Sequence, residues 1–385
     1  MKLSSQLMDQ VNVEQHSPMM RQYVEMKRAH QDQLLFYRLG DFYEMFFDDA
    51  VLVSRELELT LTGRDCGLPE RAPMCGVPYH SVDTYIARLI KKGYKVAICE
   101  QLENPALAKG MVKRDIIRVV TPGTLIESDI LDEGSNNFIC SICCGENGCG
   151  LSFCDISTGE MNVTQLEGKD QGMVINELGK FRPNEIIYNA AFMDRQEVIA
   201  FIREKLCCTA DQWDEEYFEQ NAAQLAVLQQ FGVRSLLELG LEDMPLAVES
   251  LGGLIAYLRE TQRTGMERIQ TVKLYNEAQY MRLDLTARKN LELTETMRSR
   301  EKRGSLLWVL DKTRTSMGKR LMKATIEQPL ISAAIINRRL NAVEELTGDG
   351  VLMDNIVDQL TGIYDMERLM TKVVYGSASP RDLTS

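Results

Sequence analysis

The chain has 385 residues, of which 44% are hydrophobic and 26% are charged, and its formal net charge is −12. This composition is ordinary for a globular protein of two or three domains and excludes a disordered or fibrous chain. No apolar run approaches the length that spans a bilayer, and the first residues lack the apolar stretch of a signal peptide. We therefore expect no membrane association, a cytoplasmic location and reduced thiols at the ten cysteines.

The acidity is confined to the middle of the chain. Residues 1–124 hold 16 basic and 16 acidic side chains, residues 125–265 hold 9 and 24, and residues 266–385 hold 19 and 16. An acidic segment repels phosphate backbones and suits contact with other proteins, whereas the flanking segments remain compatible with nucleic acid.

The first third alternates helix and strand signals. Ser17 and Pro18 are typical of a helix start, and LLFYRL of a buried strand. SVDTYIARLIKKG predicts an amphipathic helix with Ser81 as its cap. The segments YKVAICE and DIIRVV predict further strands, and TPGT a closing turn. We expect a small mixed α/β domain, with APMCGVPYH as one of its loops.

The middle third begins with a predicted hairpin. FICSICC and CGLSFCDIS flank the turn GENG, and EMNVTQL adds a third strand. A helix near Met173–Lys180, the strand EIIYN and the helix DRQEVIAFIREKL follow, so we expect a sheet with helices on its faces. Later residues are mostly helical, with helices predicted over Leu291–Met297, Ser316–Ile326 and Ala333–Leu346. From this pattern we expect the chain to stop inside a helical domain.

The stretch FYRLGDFYEMFFDDA sets aromatic rings beside carboxylates. As a helix, it would use Asp41 and Glu44 as a capping box. As a strand, it would put alternate residues on opposite faces. We favour the strand, because one face then forms a core stripe while the other presents an aromatic beside a carboxylate. The strand places Phe42, Glu44 and Phe46 on one face and Tyr43, Met45 and Phe47 on the other, with Asp48 capping the next helix.

An aromatic beside a carboxylate suits contact with poorly stacked bases. The ring can wedge between base steps, and the carboxylate can bond a base edge but not a phosphate. The surrounding segments LLFYRLGDFYEMFFDDA, APMCGVPYHSVDTYIARLIKKGYKVAICEQLENP and VVTPGT resemble the mismatch-binding domain of the MutS family of DNA mismatch-repair proteins. CDISTGE and RPNEIIY resemble the connector domain of that family, and LDLTARKNLELTETMRSREKRGSLLWVLDKTRTSMGKRLMKATIEQPL resembles the start of its helical core.

The resemblance covers nearly the whole chain and implies a multidomain α/β plus α protein. It implies a small mixed α/β mismatch-recognition domain over residues 1–124 and a ribonuclease-H-like α/β connector over residues 125–262. The truncated start of an all-helical core, or lever, domain would occupy residues 263–385.

The resemblance also implies site residues. Phe42 would insert from the minor groove onto a mispaired base, kinking the duplex, and Glu44 would hydrogen-bond that base. Double-stranded DNA with mismatches or small loops is then the ligand. We expect further contacts to the minor groove or to phosphates from Arg64, Arg71, Pro73, Met74, His80, Lys109, Lys113 and Arg114.

For the intact protein the family implies an ATPase domain using ATP and Mg²⁺, a MutL partner and a homodimer. The chain holds no complete phosphate-binding loop, because GENGCGLS has Leu151 where the loop needs its lysine. We therefore expect neither a cofactor nor enzyme activity in these residues.

Three alternatives stay open from the residues. Asp155 and Glu160 in CDISTGE could serve a metal-dependent nuclease on the middle sheet. Cys140, Cys143, Cys144 and Cys149 have a spacing superficially like that of zinc ligands, although small buried side chains in a hairpin explain them more simply. A protein-binding module is the third alternative, and its binding would lack the salt dependence of phosphate contacts.

Overall fold

The computed structural model describes residues 13–103, 110–127, 130–275 and 279–384. The chain divides into two compact units, Met1–Pro122 with Leu258–Arg263, and Gly123–Tyr257 with Thr264–Ser385. The domain boundaries 1–124, 125–262 and 263–385 remain predictions.

A mixed sheet forms the first unit. Its strands are β1 (Leu34–Leu39), β2 (Phe42–Phe46), β3 (Thr62–Arg64), β4 (Ala72–Pro78), β5 (Val96–Gln101) and β6 (Arg114–Val120). The described strands lie in the order β3–β4–β2–β1–β5–β6. Strands β1 and β5 are parallel, and the other neighbours are antiparallel.

Helices cover both faces of this sheet. They are α1 (Pro18–Ala29), α2 (Phe47–Leu57) and α3 (Val82–Ile90). On one face, Met20 and Tyr23 of α1 pack with Leu35 and Phe46 in a single apolar cluster. On the other face, the Cys75 thiol of β4 donates to the Ala50 carbonyl of α2. The two-sided burial explains why LLFYRL reads as a continuous apolar run.

A buried ion pair joins α1 to α2. Lys27 Nζ lies 2.9 Å from Asp49 Oδ1, and both side chains are almost completely buried. Asp49 also accepts from the Leu35 amide at 3.0 Å. Helix α2 begins at Phe47, so the prediction that Asp48 caps it is wrong. Asp48 is exposed in the first turn, while the next residue turns inward to meet the lysine.

Two further expectations for this unit need correction. The segment APMCGVPYH is mostly strand β4 and not a loop, because its prolines Pro73 and Pro78 lie near the strand ends, where a missing amide disturbs the ladder least. Phe46 is fully buried and not displayed, because α1 covers its end of the sheet face. The strand over Phe42–Phe46 itself is confirmed.

A second mixed sheet forms the centre of the second unit. Its strands are β7 (Ile139–Gly145), β8 (Gly148–Asp155), β9 (Glu160–Glu167), β10 (Glu185–Tyr188), β11 (Thr209–Gln212) and β12 (Lys273–Leu274). The described order is β11–β10–β7–β8–β9–β12. The predicted hairpin and its third strand, β7 to β9, are antiparallel, and β10 and β11 continue the sheet in parallel from β7.

Helices follow this sheet along the chain. Those around the sheet are α4 (Gln171–Phe181), α5 (Gln196–Phe201), α6 (Gln220–Phe231) and α7 (Pro245–Gln262). Phe181 of α4 stacks on Phe153 of β8 with ring centroids 4.0 Å apart. Gly150 of β8 lies against the start of α7, where an added Cβ would come within 1.9 Å of the Leu246 carbonyl oxygen. Only glycine fits this contact.

The end of the chain is helical, which confirms the predicted α/β plus α class. Its helices are α8 (Leu285–Asn290), α9 (Leu306–Leu310), α10 (Ser316–Glu327), α11 (Ala333–Gly348), α12 (Gly350–Leu360) and α13 (Met366–Val374). The helix predicted over Leu291–Met297 is wrong, because α8 ends at Asn290 and Glu292 takes a left-handed φ of 47°. Arg320 of α10 forms two hydrogen bonds with Asp365, at 2.7 and 2.8 Å.

Candidate nucleic-acid interface

The turn between β1 and β2, the two central strands of the first sheet, places Phe42 at one end of that sheet. Gly40 takes a left-handed φ of 58°, which glycine adopts without strain, and Leu39 pairs directly with Phe42 across the turn. The Tyr79 amide donates to the Asp41 carbonyl at 3.0 Å and ties the turn to the end of β4. Phe42 is 46% exposed, whereas Tyr43, Met45 and Phe46 on the same strand are buried. The strand therefore presents one aromatic ring to solvent.

Glu44 lies on the same face as Phe42, two residues along β2. Its Oε2 is 2.5 Å from Arg64 Nη1, at the end of β3. Its neighbours on the two flanking strands are Gly76 of β4 and Tyr37 of β1, so only the β1 side places a side chain directly beside it. A Cβ at Gly76 would lie 3.5 Å from Glu44 Cγ and 3.8 Å from Phe42 Cδ1. Both side chains therefore lie close to the glycine backbone.

On the opposite face of the sheet, a polar network supports the turn between β1 and β2. The Tyr43 hydroxyl donates to Glu100, and Arg38 Nη1 lies 3.3 Å from the same carboxylate oxygen. Burial, reinforced by Glu100, raises the pKa of Tyr43 well above its usual range. Arg38 also donates to the Gly40 carbonyl and lies 3.9 Å from the Tyr79 ring centre. The turn that carries Phe42 is thus held from beneath.

The structure separates the two residues predicted to contact the minor groove. Met74 pairs with Phe46 and shares the face of Phe42 and Glu44, while Pro73 alternates to the other face. His80 is exposed in the short 3-10 helix Tyr79–Ser81, directly after β4. Met74 and His80 are therefore on or next to the Phe42 surface, and Pro73 is not.

The basic residues predicted to contact phosphates differ in their exposure and in the contacts that they already make. Arg71 and Lys113 are exposed. Arg114 is partly buried, donating to the Arg38 carbonyl at 3.0 Å and to the Val112 carbonyl at 3.1 Å. Arg64 is bound to Glu44. Lys109 lies outside the described residues.

Sequence reasoning did not identify Arg38 and Tyr79 as residues that support the turn between β1 and β2. Each looks like an ordinary surface residue, and only the pairing of β1, β2 and β4 brings them together beneath the turn. A signal was present in RLGD, where an arginine precedes a glycine turn, but no local pattern indicates the aromatic ring that this arginine meets.

The acidic residues of the second sheet do not form an open site. Asp155 is completely buried, and its Oδ1 accepts from the Ser157 amide at 2.9 Å and from the Ser157 hydroxyl at 2.7 Å. Its Oδ2 accepts from Asn136 Nδ2 and from the Asn137 amide, at 2.9 and 3.2 Å. Both oxygens are occupied by the protein itself. This arrangement does not favour the nuclease alternative.

The cysteines of the hairpin do not form a ligand cluster. Cys144 and Cys149 face each other across β7 and β8 and are joined in a disulfide, so the expectation of reduced thiols is wrong for this pair. Cys140 and Cys143 lie on opposite faces of β7. Within the described ranges, no group of three or more His, Cys, Asp or Glu side chains is placed to hold a metal ion. Leu151 is buried in β8 and belongs to no phosphate-binding loop.

Together, these features define a multidomain α/β protein with a helical region, whose first unit displays an aromatic ring beside a carboxylate. Three family descriptions match the chain in order: MutS domain I over residues 17–129, MutS domain II over residues 137–270 and MutS domain III over residues 286–385. The chain belongs to the MutS family.

Curated relatives agree along almost the whole chain. A protein of Alkaliphilus oremlandii named DNA mismatch repair protein MutS is 48% identical over 372 residues, covering 96% of this chain and 42% of the relative. Proteins of the same name from Ruminiclostridium cellulolyticum and Lachnoclostridium phytofermentans are 49% and 46% identical, over 95% and 96% of this chain. The chain covers 42% and 39% of those two relatives. It thus spans about two fifths of their length.

Across the described residues, every helix is too short or too polar to cross a lipid bilayer.

Proposed function

We propose that the first unit binds double-stranded DNA at mismatched or unpaired bases, with Phe42 as the wedge. The observation that carries the proposal is the half-exposed Phe42 ring beside Glu44, on a strand whose other aromatic side chains are buried. Burying the ring in the core would have been the more stable arrangement in isolation. Its exposure at a braced turn is consistent with a binding partner for the ring.

The proposed mechanism is binding by deformation. Phe42 enters from the minor groove and unstacks one base step, which kinks the duplex. Unstacking costs least where the bases are already poorly paired, so the bent complex forms preferentially at a mismatch. The Glu44 carboxylate bonds the exposed base edge, while in an intact duplex it meets only phosphates, which repel it.

Exposed polar and basic side chains would hold the duplex without reading its sequence. Arg71, His80 and Lys113 are exposed in the first unit, and phosphate contacts of this kind make affinity fall steeply with salt. We assign them this positioning role and leave discrimination to Phe42 and Glu44.

The relatives are named as DNA mismatch repair proteins, and we extend that role to this chain. ATP and Mg²⁺ binding, contact with MutL and homodimer formation belong in this proposal to a longer protein of the same family. A cytoplasmic location is part of the same proposal.

The test is a fluorescence anisotropy titration with two labelled duplexes that differ only by one G·T pair, each at low and moderate salt. We expect tighter binding to the G·T duplex, and we expect Phe42→Ala to remove the difference. Because Phe42 is half exposed, that variant should keep the thermal unfolding midpoint of the wild type.

Two outcomes would contradict the proposal. Equal binding to both duplexes, unchanged in Phe42→Ala, would eliminate the wedge. Binding of a protein partner without salt dependence, and no binding of either duplex, would favour the interaction-module alternative.

A further inference from the structure

Arg64 is bound to the carboxylate on which discrimination depends. Its Nη1 is 2.5 Å from Glu44 Oε2, and the described residues make no other hydrogen bond or ion pair with this carboxylate. The second oxygen, Oε1, accepts no hydrogen bond within the same described ranges. The carboxylate therefore has one occupied oxygen and one open oxygen.

The pair lies on the surface that faces the proposed ligand. Glu44 is 15% exposed and Arg64 38% exposed, so both are reachable from solvent while the glutamate is largely packed. Gly76 pairs with Glu44 and has no side chain, so β4 places no side chain directly beside the carboxylate. A base that entered beside Phe42 would meet the open oxygen without displacing the arginine.

An unpaired glutamate on a strand would behave differently. Its side chain would sample several rotamers, and ordering it on binding would reduce affinity for the base. Its full charge would also face the phosphates of every duplex, matched or not. A guanidinium that holds one oxygen fixes the rotamer and offsets part of that charge.

We propose that Arg64 is the positioning residue for Glu44: it holds Oε2 on the sheet and directs Oε1 towards the mispaired base. This inference rests on the proposed mismatch binding. It differs from the expectation that Arg64 contacts a phosphate, because it makes the effect of Arg64 depend on the presence of Glu44.

The experiment is a double-variant cycle in the 385-residue chain with the matched and G·T duplexes. The measured quantity is the ratio of the two affinities in wild type, Arg64→Gln, Glu44→Gln and the double variant. We expect Arg64→Gln to lower the ratio by about threefold to tenfold, in line with the freeing of one ordered side chain. In the Glu44→Gln background, the same substitution should leave the ratio unchanged.

Two further variants separate positioning from simple charge. Arg64→Lys keeps a charge but loses the planar fork, and we expect a ratio between those of wild type and Arg64→Gln. Arg71→Gln removes an exposed arginine directly before β4, and it should weaken binding to both duplexes alike without changing the ratio.

Distinct results would overturn the inference and the proposed function. A wild-type chain without preference for the G·T duplex removes the proposed function. A preference that survives Arg64→Gln, with both affinities reduced equally in either background and a salt slope smaller by about 0.9, makes Arg64 a phosphate contact and overturns the inference alone. Equal thermal midpoints of wild type and Arg64→Gln exclude unfolding as the cause.

Discussion

Glu44 of the first sheet and Asp155 of the second are both carboxylates on strands, and the sequence offered each as a functional residue. Asp155 is fully buried and accepts four hydrogen bonds from Asn136, Asn137 and Ser157. Glu44 is partly exposed, and in the part of the chain that the structure describes it has one ion-pair partner, Arg64, which leaves one oxygen open. The availability of hydrogen-bonding capacity, and not the residue type, therefore separates a candidate binding group from a structural one.

The comparison predicts that variants of the two kinds change different observables. Buried carboxylates whose oxygens are all hydrogen-bonded should contribute mainly to the free energy of unfolding. Glu44, which has an oxygen without a hydrogen bond, should contribute mainly to ligand discrimination. Four predictions follow that separation, beginning with the largest effect.

Asp49→Ala should destabilise the first unit by about 3–5 kcal/mol, because it leaves the buried Lys27 without a counter-charge. Burial raises the pKa of Asp49 although Lys27 and the Leu35 amide oppose the shift, so the charged pair is held at a cost. Amide hydrogen exchange at Leu35, whose N–H donates to Asp49, is the local readout. The double variant Lys27→Met, Asp49→Leu should recover most of the stability, and equal instability of both variants would contradict the ion-pair explanation.

Asp155→Ala should destabilise the second unit by about 2–3 kcal/mol, because the donors of Asn137 and Ser157 lose their acceptor in a buried place. Trp213 and Trp308, the two tryptophans of the chain, both belong to this unit, so urea unfolding followed by tryptophan fluorescence reports it. The ratio of affinities for mismatched and matched duplex should not change. A variant that stays as stable as wild type but loses a DNA-cleaving activity of the wild type would instead support the nuclease alternative.

Glu44→Ala should tighten binding to matched duplex by a few-fold, about 1 kcal/mol or less, because it removes a negative charge near the backbone and leaves Arg64 unpaired. Stability should stay within about 0.5 kcal/mol of wild type. Asp41→Ala, an exposed carboxylate in the adjacent turn, is the charge-matched control and should keep the discrimination. Weaker binding of matched duplex by Glu44→Ala would refute the repulsive role.

The smallest predicted effect is the loss of stability in acid that the Arg182–Glu295 ion pair causes. A hydrogen bond from Arg182 lowers the pKa of Glu295 below its ordinary value of 4.5. A lowered carboxyl pKa stabilises the fold above that ordinary value, and the stabilisation is lost as the pH falls through the lowered pKa. Both side chains are substantially exposed, so the contribution is under about 1 kcal/mol.

The measurement for this pair is the urea midpoint of wild type and Arg182→Gln between pH 7 and pH 3. The difference between the two proteins should be present at pH 7 and shrink towards zero in acid. A difference that is constant with pH would show that Arg182 stabilises by packing alone.

Much of the fold could be predicted from local patterns. LLFYRL and the hairpin around GENG lie where the alternation of apolar residues placed them, because strands with a buried face leave a strong signal. The segment APMCGVPYH misled because its prolines suggest a loop, and nothing local shows that they fall at the ends of a strand. Leu291–Met297 has the composition of a helix, but a left-handed residue at Glu292 interrupts it.

Phe42 and Glu44 could be predicted from the sequence, but the residues that contact them could not. The two-residue spacing of Phe42 and Glu44 puts them on one face of any strand. The partner of Glu44 is 20 residues away on β3, and two of the four hydrogen bonds to Asp155 come from the segment before β7, so these contacts could not be read from spacing. Long-range pairing decides which of two similar carboxylates stays open.

The partial exposure of Phe42 also limits what it can contribute to a complex. With 46% of the side chain in water, on the order of 90 Å² of ring remains to be covered. At ~25 cal/mol per Å², that area is worth about 2 kcal/mol, or roughly thirtyfold in affinity. Such a contribution is far too small to hold a duplex at micromolar concentration, yet it is large enough to choose between two of them. In the proposed complex, charged side chains therefore supply most of the affinity for DNA, and the aromatic ring decides which of the bound sites is preferred.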